Sequence, residues 1–178
     1  QQQFEQEFLP FTGDIREKPI VIYDFYKDEA GTLWIGTNKG LFLKGTDGRY
    51  IYKKIVYLET QLSITRIYKT PEGDIYLGTD YSLFRYDPVK SDVSLLPNTE
   101  KDQVMSKLIE SRIVSIVLDT IDGHPVLLTS PYGHFISYYN FTEQRWISRK
   151  DSTKKILTRY NIRDNLIRKI FKSGDGTL

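Results

Sequence analysis

His124 and His134 are the only histidines in the chain, and there is no cysteine. A metal site built on them would need both rings to converge with a carboxylate. The surrounding pattern works against this. His124 follows Gly123 in a predicted hairpin turn, and His134 opens the strand that comes next, so the two fall at different ends of a strand. No metal site and no cofactor are expected. A lyase or hydrolase would also want a histidine or a pair of carboxylates near its substrate, and the two histidines leave little material for one. Asp24 and Arg66 form a second pair of interest. Each lies seven residues before a turn glycine, Gly31 or Gly73, so each takes the same place on a repeated strand. That place can line a central channel, but a structural ion pair between neighbouring units is the favoured role. No serine nucleophile elbow, cysteine–histidine pair or phosphate-binding glycine loop is present. Asn140-Phe141-Thr142 fits the N-glycosylation pattern and is read as chance. No catalytic residue is assigned.

The elements that hold these residues are repeated. Lys27-Asp28-Glu29-Ala30-Gly31-Thr32-Leu33-Trp34-Ile35-Gly36-Thr37 is the clearest copy of one motif, and Lys69 to Thr79 is a second. Asp119 to Thr129 is a degraded third, and Lys172 to Leu178 opens a fourth. The anchoring glycines are Gly31, Gly73, Gly123 and Gly176, about 40 to 50 residues apart. Each copy reads as an apolar strand (Ile22 to Lys27, Ile64 to Lys69, Ile113 to Leu118, Leu166 to Phe171), a tight turn and a second strand. A third strand follows (Leu41 to Lys44, Leu83 to Tyr86, His134 to Ser137), then an outer one (Tyr50 to Val56, Val93 to Leu96, Arg145 to Ser148). The inner strands are apolar at nearly every position, as strands covered on both faces must be. The predicted fold is all-β, built from four-stranded antiparallel β-propeller blades. A β-sandwich with similar hairpins is disfavoured because sandwiches do not repeat a motif in register. Blade one is expected at about 20–60, blade two at 61–97, a helical insertion at 98–110, blade three at 111–150 and the start of a fourth blade at 164–178.

The copies resemble the two-component regulator propeller repeat. Residues 20 to 45 carry the resemblance through Gly31, Leu33-Trp34-Ile35-Gly36-Thr37, Gly40-Leu41 and Phe42. Residues 62 to 87 carry it through Gly73, Gly78-Thr79, Leu83-Phe84 and Tyr86-Asp87, and residues 112 to 137 more loosely through Gly123, Thr129, Gly133 and Phe135. Copy three has Leu128 where the others have Gly36 and Gly78, so that blade is expected to pack differently. The resemblance implies a periplasmic sensor propeller, N-terminal to a membrane-spanning and often hybrid histidine kinase, responding to glycan fragments. The chain is expected to be a fragment of such a propeller. A protein-interaction scaffold and a propeller lyase are the alternatives.

Composition adds exclusions. With 25 basic and 23 acidic residues the net charge is +2, which points to no nucleic-acid partner. No apolar run is long enough for a membrane helix. Aromatic residues are abundant, including 13 Tyr, and are expected mostly in blade packing. An open arc of blades leaves apolar faces exposed, so a homodimer is expected, or closure by Phe4 to Leu9 as a strand. Thr99 and Asp102 resemble a capping box for a short helix, with Val104, Leu108 and Ile109 on one side. Lys150 to Arg163 reads as a basic loop plus an outer strand. If a ligand such as an oligosaccharide binds, the loops at one face of the blades are the place: Asn38, Lys39, Asp80, Tyr81 and Tyr132, with Thr60-Gln61 and Asn161 to Asn165 beside them.

Overall fold

The computed structural model describes residues 7–10, 19–134, 136–148, 158 and 167–173. Sheet one is a meander of β1 (Ile22–Lys27), β2 (Leu33–Thr37), β3 (Gly40–Lys44) and β4 (Tyr50–Lys53). A two-stranded ribbon, β5 (Val56–Tyr57) and β6 (Thr60–Gln61), leads on. Sheet two repeats the meander with β7 (Ile64–Lys69), β8 (Ile75–Thr79), β9 (Leu83–Asp87) and β10 (Asp92–Leu95). A short helix, α1 (Gln103–Ile109), precedes sheet three: β11 (Ile113–Ile121), β12 (His124–Pro131), β13 (Ser137–Asn140) and β14 (Arg145–Ile147). Every pairing is antiparallel between neighbours in sequence. These are propeller blades. Residues 167–173, where the strand from Leu166 to Phe171 is expected, form no strand but meet the inner edge of the third blade through Ser115 and Ile170.

The core lies between blades. Trp34 and Leu41 of sheet one meet Ile64, Ile67, Leu77 and Phe84 of sheet two. Tyr76 and Leu83 meet Ile113, Ile116, Leu127 and Trp146 of sheet three. Val126, Leu128 and Ile136 meet Ile167 and Ile170. A position therefore fills according to whether a blade precedes it. Ile67 is 8 % exposed, whereas Phe25 at the same place in sheet one is 72 % exposed.

The Leu-Trp-Ile-Gly-Thr strand has a local logic. The Asp28 carboxylate accepts the Thr32 N–H at 2.9 Å and the Trp34 indole N–H at 2.9 Å, tying the turn to the strand. Thr37 Oγ1 donates to the Gly40 carbonyl and accepts the Lys39 N–H, closing the next turn. Thr79 does the same with Ser82 and Tyr81. At Gly36, a Cβ would stand 2.7 Å from the Ile64 carbonyl oxygen of the next blade, and at Gly78 it would stand 3.0 Å from the Ile113 side chain. Glycine is required at Gly36 because another blade's backbone occupies the space.

Blade three departs from the expected register. Its hairpin runs three residue pairs beyond the others and closes on a two-residue turn, with φ of +50° at Asp122 and +82° at Gly123. Two successive positive-φ residues are what the I′ hairpin turn needs. Counting from the turn glycine therefore slips by one on the inner strand: Ile113, not Val114, matches Ile22 and Ile64, since each precedes the same bulge. On the second strand Ser130, not Leu128, stands where Gly36 and Gly78 stand, and Pro131, not Thr129, faces the bulged isoleucine. The third strand is Ser137–Asn140, later than the expected His134 to Ser137. Ser137 takes the place of Phe42 and Phe84, and Phe135 lies outside the described residues. Tyr50–Lys53 also ends before Val56, which enters the ribbon, and Gln61 lies in the ribbon rather than in a plain loop.

The helix begins later than the capping box implied. Asp102 is its N-cap, its carboxylate accepting the N–H groups of Val104 and Met105. Ile109 is buried, but Val104 is 63 % exposed, so it does not share the covered side. Lys150 to Lys155 and the rest of that basic stretch to Arg163 fall outside the described residues apart from Thr158, as do Phe4 to Gln6 of the proposed closing strand.

Two outcomes test this packing. Gly36→Ala, which forces a methyl against the Ile64 carbonyl, is expected to lower stability by about 1–3 kcal/mol in urea unfolding. The second concerns alkali. Burial, with the Asp74 carboxylate adding to it, pushes the Tyr76 phenol up from 10.0 to about 12. The unfolded phenol ionises first, so the stabilisation is complete below pH 10 and is lost as the pH rises toward 12. Urea midpoints measured upward from pH 9 should fall, and Tyr76→Phe should make the fall shallower.

Candidate functional site

The expected ligand loops gather at the end of the blades where the inner strands begin. Their polar groups are largely engaged in holding that end together. Asn38 accepts the Val21 N–H at 2.8 Å through its side-chain oxygen and donates its amide to the Pro19 carbonyl at 2.9 Å. Asp80, in the corresponding turn of blade two, accepts the Ser63 N–H at 3.0 Å and the Ser63 hydroxyl at 3.1 Å. In blade three the Tyr132 N–H donates to the Arg112 carbonyl at 2.7 Å. In each blade this turn clips the residue that feeds the inner strand. The Lys39 carbonyl accepts the Tyr52 hydroxyl at 2.7 Å and the Gln61 amide.

Among the described residues, the five loop residues line no common cleft. Asp80 and Tyr81 line a cleft of about 220 Å³ with Tyr57, Leu58, Thr60 and Leu62. Tyr81 stacks on Tyr57 with ring centroids 5.6 Å apart. Burial pushes its phenol above the ordinary value, and the Glu110 carboxylate adds to the effect. Tyr132 is 69 % exposed and belongs to a separate cleft of about 350 Å³, with Arg66, Val114, Gly133, Ile167 and Arg168. Asn161 to Asn165 lie outside the described residues.

The inner wall carries a more regular arrangement. Asp24 Oδ2 accepts the Ile67 N–H of the next blade at 2.9 Å. Arg66 Nε donates to the Val114 carbonyl of its next blade at 2.5 Å, and Nη1 donates to Tyr23 and Thr65 carbonyls at 3.1 and 2.9 Å. Ser115 Oγ accepts the Ile170 N–H at 2.8 Å and donates to the Ile170 carbonyl at 3.2 Å. These three residues occupy one repeat position, directly after the bulge. The expected Asp24–Arg66 ion pair does not form among the described residues. Asp24 and Arg66 instead bind the backbone of the following inner strand, and Ser115 binds that of Ile170. Ser115 escaped the sequence reading because the long blade-three hairpin moves it one place off the glycine count. Two further bridges lie beside them: the Thr65 hydroxyl donates to the Ile113 carbonyl at 2.6 Å, and the Ser130 hydroxyl donates to the Ile167 carbonyl.

Asp24 and Arg66 also line an open groove of about 500 Å³ with Tyr23, Phe25, Ile67, Ser115, Ile116, Lys169 and Ile170. The wall is thus polar and accessible, but Asp24 and Arg66 are held by backbone partners rather than paired with one another as an acid and a base. His124 contacts the Thr142 hydroxyl at 3.3 Å at the far turn, and His134 lies in the turn before β13, where its N–H donates to the Pro131 carbonyl. Among the described residues no three His, Cys, Asp or Glu side chains are grouped to hold a metal ion. Asn140 is buried, its side-chain oxygen accepting the N–H groups of Thr142 and Glu143.

Residues 18–39 match the family model described as Two component regulator propeller, so the first repeat is of that kind. None of the curated proteins matches the chain. Solved structures do. The extracellular domain of what is described as a one component system, BT4673 of B. thetaiotaomicron, aligns with a TM-score of 0.64 at 18% identity, over 87% of this chain and 19% of its own. The extracellular domain of the hybrid two component system BT3049 of the same organism aligns with a TM-score of 0.63, again at 18% identity and over the same shares. At that identity the likeness is one of fold, and the chain spans about a fifth of the length of these structures.

Removing the carboxylate at Asp24 tests the bridging role. Asp24→Ala, which leaves the Ile67 N–H unpaired, should destabilise the chain by about 1–3 kcal/mol in urea. Asp24→Asn keeps an acceptor oxygen and should lose less.

Proposed function

We propose that this chain is a non-catalytic recognition segment of a larger extracytoplasmic sensor propeller in a two-component signalling protein, and that the sensor responds to a glycan. The observation that carries the reading is the propeller repeat at residues 18–39, set within an arc of blades whose fold follows extracellular domains of signalling systems over 87% of its length. The inner wall is consistent with recognition rather than turnover, since Asp24, Arg66 and Ser115 fasten one blade to the next. No helix among the described residues is long and apolar enough to cross a membrane, so signalling would pass through other parts of the protein. In this reading a homodimer is the signalling unit. The ligand must then bind two dimer states unequally, because equal affinity shifts no equilibrium however tight the binding.

The test is a thermal-shift screen of purified oligosaccharides against the ectodomain that contains this segment. A ligand present at a hundred times its Kd stabilises the folded state by about 2.7 kcal/mol, enough to raise Tm by several degrees. One glycan class should do so. A broad panel that leaves Tm unmoved throughout would refute the glycan-sensing role.

A further inference from the structure

The inner strands and the segment 167–173 enclose two neighbouring clefts that share Arg66. The smaller, of about 350 Å³, is within the range that holds a small ligand. Two guanidinium residues, Arg66 and Arg168, contribute to its lining, and among the described residues no carboxylate does. The larger adds Lys169 and one carboxylate, Asp24, whose Oδ2 is engaged with the Ile67 N–H.

Arg66 is half-buried, and its hydrogen bonds go to the carbonyls of Val114, Tyr23 and Thr65. Those partners orient the guanidinium but carry no net charge. Its Nη2 makes no hydrogen bond among the described residues. A fixed cation without a counter-charge attracts an anion, and a guanidinium suits a carboxylate or sulfate because its planar donors match paired oxygens. The remaining lining is apolar or aromatic. Val114 and Ile167 form one wall, and Tyr132 presents a ring that is 69 % exposed. An exposed tyrosine offers an apolar face with a polar tip, which suits the C–H face of a pyranose. Arg112 strengthens the positive character nearby. Its backbone holds Tyr132 in place, and its guanidinium lies 4.4 Å from the centre of the Tyr23 ring.

We propose that the cleft formed by Arg66, Val114, Tyr132, Ile167 and Arg168 is a subsite for an acidic saccharide, with its carboxylate or sulfate directed to Arg66 and Arg168 and its ring set against Tyr132. The inference rests on the recognition reading above and narrows it to a ligand class. Arg66 is preorganised by its three carbonyl partners, and Arg168 supplies the second charge from the segment 167–173.

Calorimetric titration of the chain with oligogalacturonate and a sulfated oligosaccharide, matched neutral oligosaccharides and inorganic sulfate separates the possibilities. The acidic sugars should bind, more weakly at higher ionic strength, and the neutral ones should bind at least about tenfold less tightly. Arg168→Gln and Tyr132→Ala should each weaken acidic-sugar binding by about tenfold while leaving Tm unchanged, and Lys107→Gln on the remote helix should change neither. Neutral sugars that bind as well as acidic ones, with no effect of Arg168→Gln, would overturn the acidic subsite and leave the recognition reading standing. Inorganic sulfate binding with no saccharide binding would also overturn it, as would binding by no probe at all. That last result in this chain, together with an unmoved Tm in the ectodomain screen, would remove the glycan reading as well.

Discussion

Gly36 lies so near the Ile64 carbonyl that even one methyl group has no room between them, and that distance governs how the blades assemble. Two sheets brought this close cannot leave their facing backbone groups to water, because unpaired polar groups are costly to bury. Side chains from the inner strands answer the need: Asp24 for the Ile67 N–H, Thr65 for the Ile113 carbonyl, Arg66 for the Val114 carbonyl. Around them the large apolar residues pack between sheets rather than within one. The polar bridges and the apolar filling recur at each step around the arc, and the glycine closeness at the first two.

Seen this way, the surface open to a ligand is what remains after the backbone has been served. Asn38 and Asp80 have the residue types of a sugar site, yet both clip the chain as it enters an inner strand. Arg66 serves both purposes, since its neutral partners position the guanidinium without neutralising it. A side chain can therefore be structural and still supply charge to a cleft, and residue type alone does not separate the two roles.

What could be read from the residues and what could not divide along the same line. The turns after Lys27 and Lys69 were legible because Gly31 and Gly73 sit at the same offset from a strong apolar strand. Blade three was legible as a blade but not in register. Its turn glycine belongs to a tighter turn at the tip of a longer hairpin, so the marker moved while the packing positions stayed. Ser115 was invisible because a serine within an apolar run carries no signal until a neighbouring segment places a carbonyl beside it, and Ser130, which reads as loop beside Tyr132, lies in β12. The helix was predictable from its apolar residues, but Thr99 and Asp102 are both ordinary caps. Asp102 won because its carboxylate reaches the Val104 and Met105 N–H groups.

The bridging position carries Asp24, then Arg66, then Ser115, each with a different backbone target on the segment that follows. A chain of look-alike hairpins risks pairing the wrong neighbours as it folds, a failure typical of repeat proteins. Here the junctions differ in side-chain chemistry. An acceptor meets an N–H at the first, a cation meets a carbonyl at the second, and a hydroxyl satisfies both groups at the third. The backbone groups met are of kinds that every blade presents, so the variation at this one position changes the chemistry that lines the inner wall without changing how the blades are fastened.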